Sequence, residues 1–267
     1  MSLAVGDGGP SAQEVERLRL TLSTYQDGTG MLVVGARRSL PGWRDFERSV
    51  ALTFDGRAVE SKEIFDVLIP FDDTPEYGIS CKMRSTLKET EKSGRVTMEL
   101  SNSSAKFTLA FEGAGISAGE FRDRATDLGG IIIATVASWH HDQSDTIDLE
   151  RSSYLALSYD SAGRYQLHQF ALDLPDPASL TWSFPEVKGK GGVLRPGKRL
   201  RGALGDATVL EFYYGSGGQL KYYPHIDEAI WKSEVFHLES LDGVEKLYDA
   251  EAKAAEYFPE KWKATYE

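Results

Sequence analysis

Apolar side chains recur every four residues in the segment that follows Pro41, at Phe46, Val50 and Phe54. This is the spacing of one helix face, and proline suits the first turn of a helix, so the pattern predicts a helix over 41–54. Similar reasoning predicts three more helices, over 12–25, 95–112 and 118–127.

Strand character is found first in two short apolar segments, over 64–70 and 77–84, which are joined by the turn-forming residues FDDTPE. Such a pair predicts an antiparallel hairpin. The run IIIATVAS over 131–138 has the β-branched makeup of a fully buried central strand. Further short strands are predicted over 154–159, 164–172, 180–184, 209–214 and 219–223. The residues GSGG over 215–218 are predicted to form a hairpin turn that joins the last two of these strands.

The order of these elements predicts an α/β fold built as a single elaborated domain. Its core is expected over about 30–145, a β-rich region over about 146–226 and an acidic tail over 227–267. A chain of 267 residues, 41% of them hydrophobic, is long and apolar enough to bury one substantial core.

The predicted hairpin carries the candidate chemistry. Alternation along its second strand turns Cys81 towards an apolar face and Lys82 towards the opposite one. Asp66 stands in the first strand, where a carboxylate is costly to bury unless it meets a cation or a metal, and Lys82 is the expected partner. A strand aspartate, a turn and a strand lysine suit a metal-dependent phosphodiesterase. The carboxylate would hold Mg²⁺, and the lysine would orient or deprotonate the attacking water.

One aspartate alone would hold a metal poorly, so a second carboxylate is expected nearby. Glu99 is the first candidate because, on the helix predicted over 95–112, it shares a face with Asn102 and Lys106. Glu89 and Glu91 are alternatives, since the spacing between lysine and acid is not strict.

The stretch FDVLIP…YGISCKMR resembles the paired strands of the PD-(D/E)xK nuclease superfamily, which has the restriction-endonuclease-like fold. In that match Asp66 corresponds to the first metal ligand and Lys82 to the lysine. The preceding GWRDFERSVALTF is similar to the first helix of the fold, and this similarity implies that Glu47 is an auxiliary acid. Ser80 stands at the acidic position of (D/E)xK. In one subgroup of restriction enzymes the strand reads Ser-x-Lys and the following helix supplies the carboxylate, which by the resemblance would be Glu99.

The resemblance, which covers about 41–140, implies a central mixed β-sheet flanked by helices. It also implies a Mg²⁺-dependent endonuclease that cuts double-stranded DNA, most directly a type II restriction enzyme. Such an enzyme would act as a homodimer beside a cognate DNA methyltransferase and would leave a 5′-phosphate. Two alternatives stay open. A structure-specific repair or recombination nuclease would use the same centre, and a non-catalytic DNA-binding module would explain Ser80 directly.

Charge is unevenly distributed along the chain. The net charge is −11, and −6 of it lies in the last 41 residues. The glycine-rich segment 188–201 contains six basic residues and no acidic residue, so its backbone and its cations could approach a phosphate chain closely. A solvated loop is the alternative interpretation of this segment. The six predicted DNA-contacting residues are Lys188, Lys190, Arg195, Lys198, Arg199 and Arg201.

Cys81 is the one cysteine of the chain, so no internal disulfide can form, and no apolar run approaches the roughly 20 residues that span a bilayer. The first thirty residues carry no basic-then-apolar signal pattern. We therefore expect a reducing, cytoplasmic setting without a membrane partner.

Overall fold

The structure is a computed structural model of the chain. It describes residues 3–34, 39–59, 64–71, 74–102, 104–188, 192–214, 218–241 and 250–266. The chain divides into two compact units. The first comprises Met1–Val96, Gln143–Leu172 and Ile226–Glu267, and the second comprises Thr97–Asp142 and Asp173–His225. The chain thus passes between the units four times. The order of the predicted elements instead indicates three successive regions of one domain.

The elements are labelled in chain order. The described helices are α1 (Ala12–Thr24), α2 (Trp43–Thr53), α3 (Leu87–Ser93), α4 (Ser104–Gly113), α5 (Ala125–His141), α6 (Ala250–Tyr257) and α7 (Pro259–Ala264). The described strands are β1 (Leu32–Val33), β2 (Ser39–Leu40), β3 (Arg57–Ala58), β4 (Val67–Phe71), β5 (Thr74–Arg84), β6 (Met98–Ser101), β7 (Ser153–Tyr159), β8 (Arg164–Ala171), β9 (Thr181–Ser183), β10 (Glu186–Lys188), β11 (Leu194–Pro196), β12 (Arg199–Leu204), β13 (Ala207–Tyr213), β14 (Gln219–Tyr222), β15 (Trp231–Lys232) and β16 (Phe236–His237).

The first unit is built on a mixed seven-stranded sheet in the order β15-β8-β7-β5-β4-β3, with β16 also paired to β8. Strands β4 and β5 are antiparallel, which confirms the predicted hairpin. Strands β5 and β7 are parallel, from Ile79 opposite Ser153 to Arg84 opposite Ser158. The α/β class is therefore confirmed, and the predicted strands over 154–159 and 164–172 are β7 and β8 of this sheet.

Helices α1 and α2 cover one face of this sheet. The predicted apolar stripe of α2 is buried there, with Phe46, Val50 and Phe54 in one core cluster with Ile79 and Cys81 of β5. Burial of this stripe is the main source of stability for a helix of only eleven residues, because so short a helix is marginal in water by itself. The apolar face predicted for β5 is thus confirmed, and Cys81 is a buried thiol.

The N-terminus of α2 is fixed by Asp45, which is buried. Its Oδ2 atom accepts hydrogen bonds from the backbone N–H groups of Gly42 and Met31, each at 2.8 Å. These bonds satisfy a donor at the start of the helix and tie the helix to the preceding chain. The entry angle of α2, and so the direction in which its side chains point, is set by this aspartate.

The segment 131–138, predicted as a buried strand, is instead the middle of α5. Its buried side chains follow a helical spacing, at Leu128, Ile132 and Val136. A short apolar run fits a buried strand and a buried helix equally well, and the length of the element decides between them. The helix predicted over 118–127 is also wrong, since α5 starts near the end of that range.

The helix predicted over 95–112 is wrong in its first half. Strand β6 precedes α4, and Glu99 lies on the strand. Val96, Met98 and Leu100 alternate with polar residues, which is the period of a strand, but the spacing of four between Val96 and Leu100 also fits a helix. Pairing of β6 with β14 at the edge of a second sheet settles the choice, because it satisfies the backbone groups of the segment.

The second unit contains that antiparallel five-stranded sheet, in the order β6-β14-β13-β12-β9. Leu210, Phe212 and Leu220 are buried on one face of it, and the ring of Phe212 meets that of Phe107 of α4 edge to face, with centroids 5.0 Å apart. Strands β9, β13 and β14 correspond to three predicted strands. The turn predicted at GSGG lies largely outside the described residues, at 215–217.

Within the first unit, the acidic tail packs against α1. Leu20 of α1 forms a small core with Ala254, Phe258 and Trp262. A buried ion pair joins Lys253 of α6 to Asp27, with Nζ and Oδ2 3.2 Å apart. The tail is therefore part of the folded unit. None of the helices that the structure describes is both long and apolar enough to pass through a bilayer.

Two adjacent glycines of α5 provide a test of its packing. A methyl group at Gly129 would lie 2.2 Å from ring atoms of Trp182, whereas one at Gly130 meets nothing within 4 Å. We expect Gly129→Ala to lower the free energy of unfolding by about 1–3 kcal/mol through overpacking. Gly130→Ala should raise it by up to about 1 kcal/mol, since alanine is the better helix former.

Urea unfolding of the two variants measures this contrast. Equal effects of the two alanines would mean that Gly129 of α5 does not rest on the ring of Trp182.

Candidate active site

The candidate site lies where two strands of the hairpin part. The last residue of β5 that pairs with β4 is Ile79, which lies opposite Val67. Beyond Ile79, β5 continues beside β7 as far as Arg84. The N–H of Cys81 therefore needs a partner other than a β4 carbonyl. Oδ2 of Asp66, the residue before β4, accepts this N–H at 2.7 Å. The carboxylate is thus held in place by a backbone group of the sheet.

Lys82 meets this carboxylate, as the alternation along β5 predicts. Its Nζ lies 3.4 Å from Oδ2 of Asp66 and donates a 2.7 Å hydrogen bond to Oγ of Ser80. Ser80 is 2% exposed, and its hydroxyl in turn donates to the carbonyl of Ile64 at 3.2 Å. Two acceptors, one charged and one neutral, therefore hold the ammonium group in one place.

Glu47 comes to the same site from helix α2. It is 7% exposed and makes no hydrogen bond within the described part of the chain. Its burial, followed by the negative charge of Asp66, raises the pKa of this carboxyl from 4.5 to about 7, against the opposing effect of Arg44, Lys82 and Arg48. A buried, unbonded carboxylate beside a second one is an arrangement that a cation would stabilise.

Cys81 lies among these groups and is not a nucleophile. Burial raises the pKa of its thiol well above the usual value, and the charges of Asp66 and Glu47 raise it further. The thiolate is therefore not accessible near neutral pH. The same charges show that both carboxylates act on this point of β5, so Asp66, Glu47 and Lys82 form one electrostatic cluster.

The structure does not support the reason for choosing Glu99 as the second carboxylate. Glu99 lies on β6 in the second unit, with its Cα paired to that of Lys221, so no helix face joins it to Asn102 and Lys106. The alternatives Glu89 and Glu91 are exposed on α3. Among the residues that the structure describes, no group of three or more histidine, cysteine or acidic side chains could hold a metal. The carboxylates gathered here are two, those of Asp66 and Glu47.

The six basic residues predicted to contact DNA fall into distinct environments. Lys188, Arg195 and Lys198 are exposed and form no ion pair with any described residue. Arg199 instead pairs with Glu211, Nη1 to Oε1, at 3.2 Å, and Arg201 donates to the carbonyl of Asp206. The remaining residue, Lys190, lies outside the described residues. Three cations are thus available to an external anion.

Comparison with known proteins yields no relative. No family model, no curated protein and no solved structure matches this chain. A functional proposal for the chain therefore depends on the geometry of the site.

Sequence reasoning missed the parts of the site that depend on the backbone. The N–H of Cys81 and the hydroxyl of Ser80 hold Asp66 and Lys82, and neither role follows from residue type. The one available signal was Ser80 itself, two residues before Lys82 and therefore on the same strand face.

The raised pKa of Glu47 predicts a pH dependence of stability. Between about pH 4.5 and 7 the folded chain keeps a proton at Glu47 that the unfolded chain has lost, so stability falls as the pH rises through this window. The total loss is roughly 3 kcal/mol, at about 1.4 kcal/mol per pH unit. In Glu47→Gln this loss should be absent, so the variant should gain stability relative to the parent as the pH rises.

Urea unfolding of both proteins in EDTA, from pH 4.5 to 8, measures this difference. Burial lowers the pKa of His168 to about 4. This shift makes the stability of both proteins rise with pH up to about pH 6.5, and the effect cancels when the two proteins are compared. Parallel curves for the two proteins would show that Glu47 titrates as an ordinary carboxyl.

Proposed function

We propose that this chain is a Mg²⁺-dependent endonuclease that hydrolyses phosphodiester bonds in double-stranded DNA, acting as a sequence-specific type II restriction enzyme. The observation that carries the proposal is the cluster of Asp66, Lys82 and Glu47 where β4 parts from β5. A carboxylate, an ammonium group and a second carboxylate held together where these two strands part are the groups that such hydrolysis requires. A helix packed on a mixed sheet with an antiparallel hairpin is consistent with the resemblance to PD-(D/E)xK nucleases.

Asp66 and Glu47 fit a divalent cation. Every hydrogen bond that the described residues make to the Asp66 carboxylate goes to Oδ2, which leaves Oδ1 for a ligand. Glu47 is buried without a hydrogen-bond partner among those residues, and its burial, together with the charge of Asp66, raises its pKa. Carboxylate oxygens are the ligands that Mg²⁺ prefers, and the bound ion would supply a Lewis acid beside the scissile phosphate.

Lys82 has the role of positioning the attacking water. Its ammonium group, held by Ser80 and Asp66, offers a hydrogen bond to the water and a positive charge to the phosphorane. Water adds to phosphorus in line with the departing 3′ oxygen, so a new P–O bond forms as the P–O3′ bond breaks. The water loses a proton to solvent, the 3′ oxygen takes one from solvent and leaves as an alcohol, and the other product carries the 5′-phosphate. Ser80 therefore replaces an acid in sequence and serves as the acceptor that orients the lysine.

DNA contact in this proposal is made by the exposed cations of the second unit, Lys188, Arg195 and Lys198. Arg199 and Arg201 are not assigned to DNA contact, because Arg199 is bonded to Glu211 and Arg201 to the carbonyl of Asp206. A double-strand cut at a symmetric site needs two centres, so we propose a homodimer. A cognate methyltransferase would protect the host DNA, and a cytoplasmic location agrees with this role.

A non-catalytic DNA-binding module is the second candidate. It is favoured by one observation, that only two carboxylates gather at the site among the described residues, with serine at the usual position of an acid. Incubation of plasmid DNA with the protein and Mg²⁺ separates the candidates. Discrete fragments support a restriction enzyme, cleavage of branched DNA alone indicates a repair nuclease, and no cleavage with any divalent metal indicates the binding module.

Lys82→Ala tests the centre directly. We expect the rate of cleavage to fall by about 100-fold or more, because the group that positions the water is lost. Affinity for DNA should be largely retained, as measured by gel shift. Lys88→Ala, which removes an exposed lysine of α3, is the matched control and should cut like the parent. Cleavage by Lys82→Ala at the parental rate would show that the centre is elsewhere.

Two neighbouring cations test the DNA contacts. Lys198→Ala should reduce the slope of log K against log salt concentration by about 0.9, the effect of one lost phosphate contact. Arg199→Ala should leave the slope nearly unchanged, since this arginine is already paired with Glu211. Titrations of duplex DNA from low to moderate salt provide the slopes, and an unchanged slope for Lys198→Ala would exclude its contact with phosphate.

A further inference from the structure

The second unit carries a two-stranded ribbon, formed by β10 and β11, that is a sheet of its own. Three apolar side chains in it or next to it are exposed: Val187 of β10 at 52%, Leu194 of β11 at 54%, and Val193, the residue before β11, at 60%. An isolated hairpin is only marginally stable in water, and exposed apolar side chains gathered in so short a segment are typical of a binding surface. The ribbon therefore has the character of a docking surface.

Charge indicates what the occupant of this surface is. From Lys188 to Lys221 the chain has seven basic and two acidic residues, a net +5 in a chain of net −11. Lys188, Arg195 and Lys198 are exposed and unpaired within the described residues. A polyanion with apolar groups between its charges matches such a surface, and double-stranded DNA has this character, since its phosphates flank grooves that contain thymine methyl groups.

The register of the ribbon separates its side chains into two faces. Val187 lies directly opposite Arg195, so these two share one face. Lys188 lies opposite Leu194 on the other face, where Glu186 also points. The face of Val187 and Arg195 thus offers a free guanidinium beside an exposed methyl surface, without a described acidic neighbour in the ribbon to neutralise it.

The size of the ribbon selects a groove. Two paired strands lie about 4.8 Å apart, and with their side chains they match the major groove, which is about 12 Å wide and admits such a ribbon. The minor groove, at about 6 Å, is too narrow for it. The hydrogen-bond donors of Arg195 also favour the major groove, because arginine binds O6 and N7 of guanine there through two parallel hydrogen bonds.

We propose that the β10–β11 ribbon enters the major groove with its Val187–Arg195 face towards the base edges. Arg195 reads a guanine, Val187 contacts a thymine methyl group, and Lys198, which follows β11, binds a flanking phosphate. The inference rests on the proposed function, since it takes DNA as the substrate, and it adds the element that makes the recognition sequence-specific.

Selection from a pool of random duplexes tests the proposal. The Lys82→Ala background prevents cleavage during binding, and the bound duplexes are sequenced. We expect the protein with Arg195 to select a motif that contains at least one G·C pair. In Arg195→Ala the preference for G·C at that position should fall about 10-fold to 100-fold. Placing 7-deazaguanine at that position removes the N7 acceptor, and it should weaken binding of the protein with Arg195 but not of the alanine variant.

Two matched variants complete the experiment. Lys198→Ala should weaken binding to all sequences equally and reduce the salt slope, as a phosphate contact does. Arg199→Ala should select the parental motif with parental preference. All of the substituted side chains on the ribbon and beside it are exposed, and equal melting temperatures confirm that each variant folds.

The two proposals fail differently. If the parent cleaves at a motif but Arg195→Ala selects the same motif with the same preference, the groove assignment is overturned and the proposed function stands. The same conclusion follows if Arg195→Ala loses affinity uniformly over all sequences. If the parent neither binds nor cuts DNA, the proposed function is overturned and the groove assignment with it.

Discussion

A single backbone N–H, that of Cys81, organises the candidate site. It belongs to a strand that extends past the end of its antiparallel neighbour, so the sheet leaves it without a ladder partner. A buried amide without an acceptor costs about 1–3 kcal/mol, and the carboxylate of Asp66 removes this cost by accepting it. The same carboxylate then draws in the ammonium group of Lys82 and opposes ionisation of Glu47. Parting of two strands thus creates both the space and the charge pattern of the site.

The elements around this site were readable from local patterns. The stripe of α2 and the alternation along β5 each depend on one surface facing a core, and such surfaces leave a periodic trace in the sequence. The pairing of Asp66 with Lys82 followed from this trace, because two polar groups on adjacent strands of an apolar hairpin have few other partners. Glu47 was reached only through resemblance, since its burial depends on how α2 lies over the sheet.

The errors arose where a pattern fits two structures. Val96 and Leu100 satisfy a helix as well as a strand, and pairing with β14, more than a hundred residues later, decides for the strand. The run that begins at Ile131 satisfies a buried strand as well as a helix, and the packing of its helix against Trp182 also joins residues that are far apart in sequence. Long-range contacts of this kind have no local signature. The argument for Glu99 depended on that helix, and its position on β6 removes the argument.

The first unit takes its residues from three separated parts of the chain, and this affects how it is made. Strands β15 and β16 add to the edge of its sheet, and the helix that carries Lys253 covers Leu20 of α1. A nascent chain on the ribosome has neither until the segment 226–267 has emerged. The cluster of Asp66, Lys82 and Glu47 is translated early, but the unit that holds it can be completed only after the segment 226–267 has been made. A chain interrupted before that point leaves Leu20 of α1 without the apolar side chains of α6 and α7 that cover it.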